Sequence, residues 1–231
     1  MIKGPELLQM FNRAFERWGL PEVIKFDNGL PIVNPHQLDM PTLLVLWWVG
    51  LGIKPQRNAP ACPQQNSTVE GLQGICERWV QPSKQPDIET FQRELNEQLR
   101  IQREVYQVTR MERKTRIQLF PELENNTRIF DQKAFSWPKV KEYLAAQVWQ
   151  RRVSQQAFRI FNIQIYVGKQ FKGMELTITY DPIEEKLMIR ASDGRLIKTH
   201  DKKVVTEQEI LEYASMSMNV NKLTTILYGT S

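Results

Sequence analysis

Two short stretches hold acidic residues at positions from which a carboxylate can bind a metal ion. The first is FDNG at residues 26–29, where Asp27 follows a short β-type run and opens a turn. The second is NSTVE at residues 66–70, which is typical of a helix start because Ser67 or Thr68 can cap the first N–H groups. Asp27 is therefore expected at the end of a strand, and Glu70 in the first turn of a helix.

Carboxylates in these two positions can converge on a hard cation. Mg²⁺ prefers one or two carboxylates together with water and substrate phosphate oxygens. Two such ions about 4 Å apart can activate an attacking oxygen and stabilise a leaving oxygen in phosphoryl transfer. Each acid also has a purely structural interpretation, Asp27 as a turn residue and Glu70 as an acid that complements the helix dipole.

The elements that must position the two acids are predicted from the spacing of apolar residues. Residues 5–18 form an amphipathic helix, and residues 23–26 form a strand. Residues 42–50 are apolar nearly all round, which predicts a buried helix with Asp39 as its cap. A short strand at best follows at residues 53–55.

Two more helices are predicted, one that contains Glu70 and one that follows it. One begins at Ser67 or Thr68 and runs to about Val80. Asp87 is expected to cap the other, which ends near Arg103. The apolar face of this later helix consists of Ile88, Phe91, Leu95 and Leu99.

Several short motifs follow one another in a characteristic order. They are WGLPE at 18–22, FDNG at 26–29, LGI at 51–53, Pro60, PQQN at 63–66 and VE at 69–70. This order resembles the catalytic core of DDE-type transposases and retroviral-type integrases. The resemblance covers residues 4–81 well and continues more weakly to about residue 200.

This resemblance implies a ribonuclease H-like fold in which an Asp-Asp-Glu triad holds Mg²⁺ or Mn²⁺ for the cutting and joining of DNA strands. Asp27 matches the second Asp of the triad, and Glu70 matches its Glu. The first Asp has no match, because the acids before Asp27 are Glu6, Glu16 and Glu22, and none lies in a strand-like run. We therefore expect an N-terminally truncated core that binds DNA and does not catalyse strand transfer alone.

Polar residues between the short strand and the second acid are candidates for DNA contact. Arg57, Asn58 and Asn66 can hydrogen-bond to phosphates or base edges, and in the family such a loop lies beside the active site. The same composition also suits a mobile surface loop. Residues 105–136 are expected to form a basic linker, which either lies along DNA or is merely solvated.

A second DNA-binding domain is expected after the linker. A helix at residues 137–149 precedes short segments with alternating apolar residues and tight turns, which predicts a small antiparallel β-barrel. Residues 137–173 hold seven basic residues and one acid. By resemblance to the barrel that follows the catalytic core in the family, the candidate phosphate contacts are Arg151, Arg152, Arg159, Lys169 and Lys172.

Composition bears on the partners and the compartment. The chain has 231 residues, a net charge of +5 and an isoelectric point near 9.2, which permits an anionic partner without requiring one. The two cysteines, Cys62 and Cys76, match no metal motif and are interpreted as reduced, in a cytoplasmic protein. No signal peptide and no membrane partner are expected, because the longest apolar stretch, residues 43–51, is too short to span a bilayer.

The predicted division of the chain has four parts. A partial ribonuclease H-like core at residues 1–104 is followed by the linker, by the helix and β-barrel at 137–202, and by a tail at 203–231. Two further hypotheses stay open. The chain could be a non-catalytic module that binds DNA and forms a homo-oligomer or joins an intact transposase. It could also be a non-functional product that folds poorly.

Overall fold

The computed structural model has a mixed α/β architecture. It describes residues 4–27, 29, 32–33, 39–59, 64, 67–161, 163–201 and 205–216, with only the backbone described at residues 5 and 68. Within these residues it contains seven α-helices, antiparallel sheets and a parallel strand pair. The chain divides into two compact units. Unit 1 comprises Met1–Glu16, Leu20–Arg57 and Phe130–Ser231, and unit 2 comprises Arg17–Gly19 and Asn58–Ile129.

The first helix and the first strand are confirmed. Helix α1 spans Gly4–Trp18, and strand β1 spans Val23–Phe26. Leu8 and Phe15 of α1 are buried in the core of unit 1. The apolar residues at spacings of three and four therefore face inward, as the sequence predicts.

The centre of unit 1 is a helix buried on nearly every side. Helix α2 spans Leu43–Gly50, and all of its residues except the first are buried. The indole of Trp48 lies 4.8 Å from the ring of Phe11, and that of Trp47 lies 5.7 Å from the ring of Phe15, measured between ring centroids. The prediction of a buried helix is confirmed.

The predicted cap of α2 is wrong. Thr42 caps the helix, since its hydroxyl accepts a hydrogen bond from the Val45 N–H at 3.4 Å. A capping side chain must come from the residue directly before the first helical position, and Asp39 lies too far upstream to fill that place. The Asp39 carboxylate pairs with Arg151 instead.

The short strand expected after α2 is present, and it forms a parallel pair with the first strand. Strand β2 spans Lys54–Arg57 and pairs in parallel with β1, with Phe26 opposite Arg57. The prediction placed this strand at residues 53–55, so its position is nearly right and its partner was not foreseen. Because the two strands run in parallel, their carboxyl ends lie at the same edge of the sheet.

Unit 2 is helical. Helix α3 spans Ser67–Val80, α4 spans Ile88–Glu104 and α5 spans Arg116–Leu119, with short 3₁₀ turns between them. Asp87 caps α4 as predicted, and its carboxylate accepts the Thr90 N–H at 2.7 Å.

The predicted apolar face of α4 is wrong at its first member. The Ile88 side chain is 80% exposed. It stands at the first helical position, one turn before Phe91, the first of the partly buried members of that face. Spacing alone assigns Ile88 to the face, but packing begins only at the second turn.

The C-terminal part of unit 1 consists of helices and antiparallel strands. Helix α6 spans Trp137–Ala145, and helix α7 covers residues 207–216, close to the expected helix at 206–214. The strands between them are β3 (Val148–Arg152), β4 (Ala157–Ile160), β5 (Ile163–Tyr166), β6 (Glu175–Asp181), β7 (Lys186–Arg190) and β8 (Leu196–His200).

The predicted β-barrel is wrong for the part of the chain that the structure describes. The strands form a four-stranded antiparallel sheet in the order β3-β6-β7-β8 and a separate β4-β5 hairpin. A barrel needs an unbroken ladder of hydrogen bonds around its wall. The 3₁₀ turn Lys169–Phe171 separates β5 from β6, and β6 pairs with β3 instead.

The helix predicted at residues 137–149 also ends early. It stops at Ala145, because Val148 and Trp149 belong to β3 and pair with β6. Among the described helices, none is both long enough and apolar enough to cross a membrane.

Candidate metal and DNA-binding residues

Asp27 lies at the carboxyl end of β1, where the sequence predicts it. Its side chain is exposed, and its Oδ1 accepts the Gly29 N–H at 2.9 Å, which closes a turn after the strand. Since β1 and β2 are parallel and Phe26 lies opposite Arg57, Asp27 and Arg57 are at the same edge of the strand pair. An exposed acid and an exposed arginine therefore lie at this edge of the strand pair.

Glu70 lies in the first turn of α3, as predicted, and its side chain is exposed. Near the start of this helix, the Ser67 hydroxyl donates a hydrogen bond to the Gln64 carbonyl at 2.7 Å. The backbone of Glu70 therefore belongs to a regular helix, and its side chain is exposed to solvent.

The two acids belong to different units, Asp27 to unit 1 and Glu70 to unit 2. Each fits a hard cation as an exposed oxygen donor. Within the described part of the chain, no three His, Cys, Asp or Glu residues are grouped so that they could hold a metal ion. The shared Mg²⁺ or Mn²⁺ site of Asp27 and Glu70 stays a prediction.

The three loop residues expected to contact DNA, Arg57, Asn58 and Asn66, differ in their surroundings. Arg57 is exposed at the end of β2 and lines a cavity of about 320 Å³ in unit 1, together with Phe26 and Trp149. Asn58 is buried and belongs to unit 2, so its amide is not presented to solvent. Asn66 lies outside the described residues.

Arg151 makes an ion pair that the sequence did not predict. Its guanidinium binds both carboxylate oxygens of Asp39, at 2.6 and 2.8 Å, and also donates to the carbonyls of Arg159 and Gln150. The indole N–H of Trp149 donates to the Asp39 carbonyl at 3.2 Å. A phosphate could reach Arg151 only in competition with this carboxylate.

No signal in the sequence points to the Arg151–Asp39 pair. The two residues are 112 positions apart, and neither belongs to a motif that requires the other. The pair holds the segment before α2 on β3, both in unit 1.

The other basic candidates are exposed side chains of the antiparallel region. Arg152 ends β3 and donates to the Gly173 carbonyl at 3.2 Å, and Arg159 lies on β4. Lys169 and Lys172 lie at the turn between β5 and β6. None of these four takes part in an ion pair among the described residues, so each can reach an anionic partner without first losing a carboxylate.

No protein-family model matches the chain, and a search of curated proteins finds no significant match.

Proposed function

We propose that this chain is a DNA-binding part of a DDE-type transposase of the integrase core superfamily, and that Asp27 and Glu70 are two of the three carboxylates of its metal site. The observation that carries the proposal is the position of Asp27. It is an exposed acid at the carboxyl end of a parallel strand pair, where ligands of α/β sheets bind, and Arg57 lies at the same edge. This edge would be part of a ribonuclease H-like core.

When bound, two Mg²⁺ or Mn²⁺ ions would activate an attacking hydroxyl and stabilise the leaving oxygen of a phosphodiester. The residues of this chain would supply carboxylate oxygens from Asp27 and Glu70, and Arg57 would position a phosphate. The sequence matches two of the triad's three acids. Strand transfer would therefore need a third carboxylate, and the chain alone would bind metal and DNA without catalysis.

Metal binding tests this proposal through matched carboxamide variants. Calorimetric titration with Mn²⁺ should show binding that Asp27→Asn and Glu70→Gln each weaken. The control for Asp27 is Asp193→Asn, because Asp193 also accepts an N–H two residues on, from Arg195 at 2.9 Å. The control for Glu70 is Glu77→Gln, an exposed acid of the same helix.

Equal Mn²⁺ affinity in the wild type and in both site variants would overturn the metal assignment. Nicking or strand transfer with Mg²⁺ or Mn²⁺ that disappears in Asp27→Ala would overturn the statement that the chain does not catalyse alone, and would support the site.

A second candidate is a non-catalytic module that binds DNA or regulates an intact transposase. Four exposed basic side chains of the antiparallel region make no ion pair with a described residue and favour it, namely Arg152, Arg159, Lys169 and Lys172. If Arg152 and Lys169 bind phosphates, changing both to Ala should reduce the slope of log affinity against log salt by about 0.9 per lost contact. Lys84→Ala, an exposed lysine in unit 2, is the control. An unchanged slope in the double variant would exclude this surface.

A further inference from the structure

Two partly exposed aromatic rings of unit 2 contact each other. Trp79 lies in the last turn of α3, and Tyr106 follows the end of α4. Their ring centroids are 6.2 Å apart at an interplanar angle of 63°. Even so, 39% of Trp79 and 48% of Tyr106 are exposed. Paired aromatic side chains that keep this much exposed area form a candidate contact surface for a partner.

An arginine lies over one of the two rings. The guanidinium carbon of Arg116 is 5.8 Å from the centroid of the Tyr106 ring. The same guanidinium donates a hydrogen bond to the Gln102 carbonyl at 2.6 Å. Its partners are thus an aromatic ring and a neutral carbonyl, and no carboxylate of the described residues pairs with it. A positive charge therefore stands beside the exposed rings.

A closed loop leaves the chain next to these rings. Residues 108–114 are closed by an antiparallel bridge, in which the Val108 N–H donates to the Lys114 carbonyl at 3.0 Å. The loop begins two residues after Tyr106 and ends two residues before Arg116. Because these two side chains contact each other, their contact lies at the base of the loop.

The loop presents two guanidiniums that have no carboxylate partner. Arg110 and Arg113 are exposed, and neither forms an ion pair or a side-chain hydrogen bond with a described residue. The one acid of the loop, Glu112, pairs with Lys114 at 2.8 Å. Residues 105–116 hold four basic residues and one acid. The charge of this region therefore complements a polyanion.

A single nucleic-acid strand fits the rings and the loop together. Unpaired bases stack on exposed aromatic side chains, while phosphates bind to neighbouring guanidiniums. In a duplex the bases stack on one another, so the rings would add nothing to its binding. An acidic protein segment would satisfy the arginines and would leave the rings without a planar partner.

We propose that the rings of Trp79 and Tyr106 and the loop arginines Arg110 and Arg113 form a surface that binds single-stranded nucleic acid. Bases stack on the two rings, and phosphates bind to the two guanidiniums. We call this set the ring-and-loop surface. The proposal rests on the proposed function for the class of partner, and it requires no metal ion.

Fluorescence anisotropy on the full chain in EDTA tests the proposal with labelled (dT)₂₀, (rU)₂₀ and a 20-base-pair DNA duplex. Trp79→Leu and Tyr106→Leu should each weaken the binding of the single strands roughly 5–100-fold and leave the duplex unchanged, because each removes a stacking ring and keeps an apolar side chain. Phe120→Leu is the control, since Phe120 is an exposed aromatic residue of unit 2 outside this surface. It should change neither affinity.

The phosphate contacts are tested by salt. The double variant Arg110→Ala, Arg113→Ala should reduce the slope of log affinity for (dT)₂₀ against log salt by about 0.7 per lost contact. Arg93→Ala, at an exposed arginine near the start of α4, should leave the slope unchanged. Tighter binding of (dT)₂₀ than of (rU)₂₀ assigns the surface to DNA, and the reverse order assigns it to RNA.

Three results would overturn the proposal. One is unchanged affinity for both single strands in the two ring variants. Another is equal weakening of single strand and duplex, which would give the rings a structural role only. The third is binding of poly-glutamate that the ring variants weaken as much as they weaken (dT)₂₀, which would assign the surface to an acidic protein.

The same measurements keep this surface apart from the metal assignment. Unchanged ring variants, together with Mn²⁺ binding that depends on Asp27, would overturn the ring-and-loop surface alone. Weakened single-strand binding in the ring variants, without any Mn²⁺ binding by the wild type, would support the surface and overturn the metal site alone.

Discussion

The buried residues of unit 1 are almost all apolar, whereas those of unit 2 are mostly polar. Among the described residues, Val80 is the one fully buried apolar side chain of unit 2. The buried polar side chains, Asn58, Gln102 and Thr115, all belong to this unit. Unit 1 therefore has the larger buried apolar core, so we expect unit 2 to open at lower free energy.

The largest difference between the units should be in the free energy of unfolding that is lost when one tryptophan of each unit is replaced by alanine. Trp48 is wholly buried, with Phe11 and Phe26 at ring distances of 4.8 and 5.8 Å. Trp48→Ala should lower the free energy of unfolding by about 3–5 kcal/mol, because it leaves a cavity in the core. Trp79 of unit 2 is 39% exposed, so Trp79→Ala should cost clearly less. Equal losses in urea denaturation would contradict the contrast.

Adding one methyl group to a glycine should give opposite signs in the two units. A Cβ at Gly50 would lie 2.1 Å from Cε2 of Phe135, so Gly50→Ala should destabilise unit 1 by roughly 1–3 kcal/mol. A Cβ at Gly71, in α3 of unit 2, meets nothing within 4 Å. Gly71→Ala should stabilise by about 0.5–1 kcal/mol through helix propensity. Denaturant midpoints measure both, and stabilisation by Gly50→Ala would contradict the close packing of α2.

The cap of α4 should make unit 2 sensitive to acid. The hydrogen bond from the Thr90 backbone N–H holds the pKa of Asp87 below its usual value. The stabilisation is therefore present above the pKa of the unfolded chain, and is lost as the pH falls through the lower folded value. Asp87→Ala should melt earlier than wild type at neutral pH, with a difference that shrinks in acid.

Asp87→Asn is the matched control, because it keeps an acceptor at the cap and does not titrate. Hydrogen exchange of the α4 amides between pH 3 and pH 7 measures the effect. If the exchange rates of the α4 amides depend on pH identically in the wild type and in Asp87→Asn, the titration of Asp87 does not cause the acid sensitivity of unit 2.

The smallest effect should come from the surface of α4. Arg100 pairs with Glu97 at 2.7 Å and with Glu104 at 3.3 Å, and these side chains are between 33% and 47% exposed. Exposed pairs of this kind contribute little and are screened by salt. Arg100→Ala should change the melting temperature barely at low salt and not at all at high salt. A large loss would show that α4 depends on this network.

Local signals in the sequence predicted what depends on neighbours along the chain. The spacing of Leu8 and Phe15, the turn after Phe26 and the Asp87 cap each act within one or two helical turns, and the structure has these elements. The position of Glu70 in its helix follows in the same way.

What could not be predicted depends on residues far apart in sequence. The Asp39–Arg151 pair spans 112 positions, and the pairing of β3 with β6 decides against a barrel. The burial of Gln102 also gave no signal, because a glutamine on an amphipathic helix is expected to face water. The exposure of Ile88 is the opposite case, because the apolar spacing assigns this residue to the buried face of α4 and the structure leaves its side chain exposed.

Unit 2 interrupts unit 1 in the chain, and this order has a consequence for synthesis. Helix α2 emerges early, but α6, which packs against it, begins only at Trp137. At about 5–20 residues per second, a ribosome needs several seconds to make the segment between them. During that interval the apolar helix α2 lacks the helix that packs against it, so the nascent chain should be a client for chaperones that hold apolar segments until translation ends.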